Sequence, residues 1–177
     1  FPVDTFFHYD AAYSILNNEY PVKDYWIVSG FIVDILQYFF FKTLGVNWFA
    51  YTFHSSIFNF LVSLFSYYFF VSLGLNKFNS LIYTLSFSTL AYTISGTPFV
   101  EQHAVFFLLI STYLIIFALY LNKKNYLWVF IVFLFFLSFL SKQVPAVYVI
   151  LSQGVILICI FVKMKKIDTL KVIFFST

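Results

Sequence analysis

The sequence predicts an all-α protein: a polytopic transmembrane helix bundle with short interfacial helices on its outer face. Hydrophobic residues make up 62% of the 177-residue chain and charged residues 10%, whereas soluble domains carry about 25% charged residues. Several stretches of about 18 or more residues carry no charge, which is the pattern of membrane-spanning helices. A soluble globular protein is therefore excluded, because so few charges could not cover its surface in water.

Five membrane spans are predicted in chain order. They run over residues 47–73, 78–95, 104–121, about 126–141 and about 145–162, and a sixth begins near residue 172. The stretch from Asn125 to Val162 is 38 residues long, whereas one crossing needs about 20. It is therefore divided at SKQVP, where Lys142 adds a charge and Pro145 disfavours a continuous helix.

Lysine is distributed unevenly between the two sets of loops that these spans separate. One set, which holds Lys77 and the Lys residues at 123–124 and 163–171, contains seven of the ten Lys residues and one acid. The other set contains three Lys residues and six of the seven acids. Because Lys marks the cytoplasmic side, the second set is predicted on the outer face. Lys at span ends is attracted to anionic headgroups, so the expected partner is the lipid bilayer and no nucleic acid is expected.

Residues 1–46 are predicted as an outer segment that precedes the bundle of residues 47–177. The segment and the bundle together are expected to form one domain. Because the chain starts without Met and stops inside the apolar run VIFFST, we expect it to be a fragment of a longer protein.

Two short helices are predicted within the outer segment. DAAYSILNN, which begins at Asp10, is the first, and YWIVSGFIVDILQYFFFKTLG is the second. Asp34 interrupts the second, which therefore suits the membrane interface better than a crossing, with Tyr25 and Trp26 at headgroup depth. LGVN, which follows, is predicted as the turn into the first span.

SGTPFVEQHAV, residues 95–105, places a Glu and a His between two long apolar runs. Gly96 and Pro98 disfavour helix there, so a tight outer hairpin is predicted between the second and third spans. Two interpretations of Glu101 and His103 stay open. They either face water at the end of a span, as charged residues commonly do, or they bind a metal or organise a polar site.

Further candidates for chemistry lie at two other places. His8 and Asp10 share a face if their segment is extended and diverge if it is helical. Lys142 either reaches to the interface along its alkyl chain or holds a phosphate at headgroup depth. The chain shows no Gly-rich phosphate loop, HExxH motif or nucleophile elbow. Cys159 lies within a predicted span, which excludes cysteine catalysis on the outer face.

Four stretches follow one another in the order found in one family of membrane enzymes. HYDAAYSILNNEYPVKDYW is similar to the family's first outer loop, with Asp10 in the place of its acid and Asp24 in the segment after it. WIVSGFIVDILQYFFFKTLGVN is similar to its interfacial helix and turn. SGTPFVEQHAVFFLL is similar to its second outer loop, with Glu101 as the acid, and FLSFLSKQVPA to its Leu-x-Lys-x-x-Pro/Gly stretch. On these residues the chain resembles the GT-C membrane glycosyltransferases, specifically the superfamily of dolichyl-phosphate-mannose protein mannosyltransferases and aminoarabinose transferases.

The resemblance implies an enzyme that transfers a sugar from a polyprenyl-phosphate donor to a lipid, glycan or protein acceptor. The transfer is expected to proceed with inversion, at the outer face of a bacterial inner (plasma) membrane. Asp10 would be the general base that deprotonates the acceptor, and Glu101 would position the acceptor or a divalent cation. A divalent metal stays open as a cofactor, with Asp10, Glu101 and His103 as candidate ligands.

The resemblance also implies residues that bind the substrates. Lys142, with His103, would stabilise charge on the leaving phosphate, as preorganised cations do. Asp24 and His8 are further candidates for substrate binding. The polyprenyl tail would lie in a hydrophobic groove between the interfacial helices and the spans.

Other classes of function stay open on the residues alone. A transporter or channel predicts ionisable groups inside spans, whereas here only His54 and Cys159 lie inside the predicted spans and the acids collect at one face. A non-catalytic membrane scaffold, or an O-antigen ligase or polymerase, is the other alternative. Such ligases usually rely on Arg in their outer loops, and this chain contains Lys but no Arg.

Overall fold

The computed structural model describes residues 4–27, 30–93, 95–120 and 126–163. These residues form seven α-helices and no β-strand, which confirms the all-helical prediction. The helices are α1 (Asp4–Leu16), α2 (Ile32–Leu44), α3 (Trp48–Ser72), α4 (Lys77–Leu90), α5 (Val100–Tyr120), α6 (Tyr126–Ser141) and α7 (Gln143–Lys163). The predicted sixth span, from about residue 172, lies outside the described residues.

Three helices are long and apolar enough, by length and composition, to cross a membrane. These are α3, α5 and α7, with 25, 21 and 21 residues, and about 20 residues cover a hydrocarbon core of about 30 Å. They correspond to the first, third and fifth predicted spans. Helix α6 coincides with the fourth predicted span, but it is a shorter apolar helix of 16 residues.

The predicted second span, residues 78–95, is wrong in its extent. Helix α4 ends at Leu90 and has 14 residues, fewer than the number a crossing needs. The side chains that follow bond locally instead of continuing the helix, since Thr93 Oγ1 donates to Thr97 O at 2.8 Å and Ser95 and Thr97 share a 2.7 Å hydroxyl contact. Such bonds compete with helix, and Gly96 then adopts a φ of 68°.

Four other boundaries also differ from the predictions. Helix α1 begins at Asp4 rather than at Asp10 and ends at Leu16. Helix α5 begins at Val100, so Glu101 and His103 lie in its first turn rather than in the hairpin before it. Helix α7 begins at Gln143, which leaves Lys142 as the single residue between α6 and α7. Pro145 therefore lies in the first turn of α7, where its missing N–H costs no hydrogen bond. Helix α2 begins at Ile32, so Tyr25 and Trp26 precede it.

The chain divides into two compact units, residues 1–103 and 104–177. In the first unit a core cluster joins α1, α2 and the beginning of α3. It consists of Ala12, Phe41, Ala50 and Tyr51, with Tyr9 and Tyr38 packed against it. The small side chains of Ala12 and Ala50 let the helices approach closely, and the ring of Tyr9 lies 4.7 Å from that of Phe41 and 5.3 Å from that of Tyr51.

Helix α4 packs against α3 in the same unit. Asn59 of α3 donates through Nδ2 to Ser88 O at 2.9 Å, and Ser56 Oγ lies 2.9 Å from the hydroxyl of Tyr92. In the second unit α6 and α7 form an antiparallel pair, because the ring of Trp128 near the start of α6 lies 5.4 Å from that of Phe161 near the end of α7.

The turn 44–47, predicted from LGVN, is confirmed, and Asn47 caps α3. Its Oδ1 accepts the backbone N–H of Ala50 at 2.8 Å, while its Nδ2 donates to Leu44 O at 2.9 Å. Gly45 closes α2 with a φ of 83°, in the left-handed region that favours glycine.

Replacing Asn47 with Ala is expected to destabilise the protein by about 1 kcal/mol, because an N-terminal amide of α3 loses its acceptor. Reversible unfolding in mixed detergent micelles measures the change. Asn47→Ser keeps a capping oxygen and serves as the control, with an expected change of a few tenths of a kcal/mol. Equal losses for the Ala and Ser variants would contradict a capping role.

Candidate functional site

A buried ion pair joins the first two helices. His8 Nδ1 of α1 lies 2.6 Å from Asp34 Oδ1, in the first turn of α2, and the two residues are 7% and 2% exposed. Burial raises the pKa of the Asp34 carboxyl, although the hydrogen bond and charge of His8 act to lower it. Because α1 is helical, His8 and Asp10 diverge, and Asp10 is exposed.

The polar contacts continue one turn along α2. Gln37 lies three residues after Asp34, so both side chains share a face of the helix, and Gln37 Oε1 lies 2.8 Å from His54 Nδ1 of α3. His54 Nε2 in turn lies 3.1 Å from His103 Nε2 of α5. We call the set His8, Asp34, Gln37, His54 and His103 the histidine cluster. It contains all three His residues of the chain.

Aromatic rings cover the inner part of the histidine cluster. Phe40 stacks on His54 with ring centroids 4.7 Å apart and an interplanar angle of 18°. The ring of Phe58 lies 5.1 Å from that of His54 and 4.7 Å from that of His103. Gln37, His54 and His103 are fully buried. Their polar atoms therefore depend on one another for hydrogen bonds, because buried polar groups without partners are costly.

A second set of polar contacts attaches the segment 91–103 to α3. Ser55 Oγ donates to Gln102 Oε1 at 3.3 Å, and Gln102 Nε2 donates to Ala91 O at 3.1 Å. With the His54–His103 contact, these bonds hold the start of α5 beside the first third of α3. The core cluster attaches α1 and α2 to the same part of α3. Glu101 thus lies at the same end of the first unit as α1 and α2.

The catalytic and binding residues predicted from the sequence are partly exposed and partly buried. Asp10 and Glu101 are exposed on α1 and α5, and Asp24 is exposed in the loop between α1 and α2. The carboxylate of Asp24 accepts the N–H of Tyr20 at 2.8 Å, so it also stabilises its own loop. His8 is buried on Asp34, and His103 is buried with Nδ1 2.8 Å from Phe99 O.

Lys142 belongs to the second unit and is partly buried. Its backbone N–H donates to Ser138 O at 3.0 Å, and it separates α6 from α7. The same unit has an open apolar groove of about 740 Å³ between α5 and α6. Cys159 is an exposed free thiol on α7.

No group of three or more His, Cys, Asp or Glu side chains within the described residues could hold a metal ion. Asp10, Glu101 and His103, the three ligand candidates from the sequence, therefore do not meet there as a metal site. Asp10 and Glu101 are exposed, whereas His103 is directed toward His54.

The sequence did not predict the histidine cluster as a unit. Its members on α1, α3 and α5 are separated by long stretches of chain, and which of them meet depends on helix packing. One local signal was present, because Asp34 and Gln37 are polar residues three positions apart in an apolar helix. They lie on the same face of α2 and need hydrogen-bond partners when that face is buried.

Comparisons with models of known protein families, with curated proteins and with solved structures gave no match.

Proposed function

We propose that this protein is a membrane-embedded glycosyltransferase that moves a sugar from a polyprenyl-phosphate donor to an acceptor at the outer face of the membrane. The observation that carries the proposal is the exposed carboxylate of Asp10 on an anchored helix. The opposite side of α1 is held by the pair of His8 and Asp34 and by the core cluster, so the Asp10 carboxylate stands on a rigid element. A general base requires such positioning within hydrogen-bond reach of the hydroxyl or amine that it deprotonates.

Glu101 supports the same proposal. It is exposed in the first turn of α5, at the end of the first unit where α1 and α2 also lie. An exposed carboxylate at this position can orient the hydroxyl groups of an acceptor sugar. Asp10 on α1 deprotonates the acceptor, and Glu101 on α5 orients the acceptor for the reaction.

The donor contributes a phosphate leaving group that departs as an anion and needs no proton. The resemblance in FLSFLSKQVPA assigns the stabilisation of this anion to Lys142. Its position between two apolar helices suits a phosphate carried on a lipid, because the charged amine ends an apolar run.

Replacing Asp10 with Asn in the full-length protein is expected to lower sugar transfer by about 10²–10⁴-fold, the usual contribution of a general base. Glu101→Gln is expected to lower it by about 10²-fold through misplacement of the acceptor. The measurement is transfer of labelled sugar from a polyprenyl-phosphate donor in membranes, at matched protein levels.

Glu19→Gln is the matched control, since Glu19 is an exposed acid in the loop after α1. It is expected to keep normal transfer. Normal transfer by both the Asp10 and Glu101 variants would remove the catalytic assignment.

Transport is the second candidate function, and one observation favours it. His54 and His103 contact each other inside two helices that are long enough to cross a membrane, and ionisable groups in such helices mark ion pathways. The transfer assay separates the candidates, because a transporter has no need of the Asp10 carboxylate as a base and gives no sugar transfer above that of control membranes.

A further inference from the structure

The two histidines from α3 and α5 face each other through their Nε2 atoms. The Nε2–Nε2 distance is 3.1 Å, and the ring planes are inclined at 58°. Both side chains are fully buried, and Phe40 and Phe58 lie against them. Each ring therefore has to satisfy its nitrogens with protein atoms.

The opposite nitrogen of each ring faces an oxygen that can only accept a hydrogen bond. His54 Nδ1 lies 2.8 Å from Gln37 Oε1, and His103 Nδ1 lies 2.8 Å from the carbonyl oxygen of Phe99. Both Nδ1 atoms therefore carry hydrogen. A neutral imidazole has only one N–H, so two neutral rings would direct Nε2 lone pairs at each other across 3.1 Å. This arrangement is repulsive, and as long as Gln37 Oε1 faces His54 it requires a proton or another electron-pair acceptor between the rings.

A proton fits this position better than a metal ion. The 3.1 Å separation lies within the range of a hydrogen bond. A zinc ion takes three or four protein ligands, and the part of the chain that the structure describes offers no third His, Cys, Asp or Glu at this point. We propose that His54 and His103 form a proton-binding site that holds one proton between their Nε2 atoms. The site goes beyond sugar transfer and does not depend on it.

Gln37 gives the site a second, neutral state. Its side chain is fully buried, and its Nε2 has no hydrogen-bond partner among the described residues. If the amide turns over, Nε2 donates to His54 Nδ1. His54 then keeps its single hydrogen on Nε2 and donates it to His103 Nε2, and His103 still donates to Phe99 O.

The two states differ by one proton, which leaves from His54 Nδ1 on the side of Gln37. Three ring hydrogens become two, and each histidine nitrogen keeps a hydrogen-bond partner. The amide orientation of Gln37 therefore changes together with the occupancy of the site.

Other ionisable groups on the helices around the pair come from four elements of the first unit. His8 of α1 carries a positive charge when it is protonated, and Asp34 of α2 lies 2.6 Å from it. On α4 the described cation is Lys77. It is the first residue of the helix and therefore lies about 20 Å along the helix axis from the last residue of α4. Glu101 of α5 is exposed two residues before His103.

Nitrogen NMR of the full chain in lipid bilayers, with ¹⁵N-labelled imidazole rings, tests the site without any substitution. We expect a coupling between the Nε2 nuclei of His54 and His103 across the shared hydrogen, and uptake of one proton by the two rings in a single step. Two independent uptake steps, or no coupling at any pH, would overturn the proposal. Zinc bound by the chain, and lost in His54→Asn, would also overturn it by putting a metal in place of the proton.

Gln37→Glu tests the role of the amide. A carboxylate at this position accepts from His54 Nδ1–H in every state and adds a negative charge beside the pair. Proton uptake should therefore move to higher pH by about one unit or more, a tenfold or greater gain in proton affinity. Gln153→Glu makes the same change on α7, where Gln153 Nε2 donates to Thr112 at 2.6 Å, and should leave the uptake unmoved. An equal shift in the pH of proton uptake for the two variants would overturn the role proposed for the Gln37 amide.

Discussion

Replacing Asp34 with Ala is expected to destabilise the protein by about 3–5 kcal/mol, the cost of removing one partner from a buried pair. His8 is 7% exposed, so water cannot replace the lost carboxylate. The same substitution detaches α1 from α2 on the side of the pair, although the core cluster still holds the two helices. Unfolding in mixed micelles, followed as the fraction of denaturing detergent rises, measures the loss.

A double-mutant cycle shows whether the loss belongs to the pair. The cycle consists of His8→Leu, Asp34→Leu and the double variant. The double variant removes both charges together and is expected to recover much of the stability that Asp34→Leu alone loses. Asp24→Ala is the control, because Asp24 is an exposed Asp with one backbone contact, and its expected loss is below about 1 kcal/mol. Strictly additive effects at positions 8 and 34 would contradict a coupled pair.

Replacing Tyr51 with Ala is expected to cost about 3–5 kcal/mol by opening a cavity in the core cluster. Tyr51 is 0% exposed, and its ring lies 5.3 Å from Tyr9, 5.6 Å from Trp48 and 6.5 Å from Phe41. The loss is one of packing contacts among three helices. Lost packing contacts destabilise a helix bundle whether it is surrounded by water or by lipid, so the same loss is expected within a membrane.

Two substitutions separate packing from general damage to α3. Tyr51→Phe keeps the ring and should cost much less than Tyr51→Ala. Tyr68→Ala removes the same side chain from a position on α3 that is 60% exposed, and its effect should lie within about 0.5 kcal/mol, as at most surface sites. A comparable loss at positions 51 and 68 would contradict the cavity argument.

Local patterns in the sequence were sufficient for most of the helices. The long uncharged run after Asn47 predicted α3, and the turn LGVN was placed correctly because Gly45 and Asn47 act on their immediate neighbours. The end of α4 was not predicted. Residues 91–95 were predicted as part of the same apolar span, whereas in the structure the helix ends at Leu90 and Thr93 bonds to Thr97 beyond it.

The contacts within the candidate site could not be derived in the same way. His54 was recognised as the one ionisable side chain of its span, and His103 as half of a Glu–His pair in a turn. Their meeting depends on how α5 returns beside α3, 49 residues later in the chain. Hydropathy fixes which segments are helical, but it carries no information about which polar residues on different helices become neighbours.

Helix α4 lies beside α3 and yet has only 14 residues, about 21 Å at 1.5 Å per residue. A hydrocarbon layer about 30 Å thick exceeds this length by about 9 Å. A bilayer crossed by α4 would therefore have to become thinner beside it, or water would have to fill a dimple above Leu90. Such a dimple would bathe the serine and threonine side chains that follow α4.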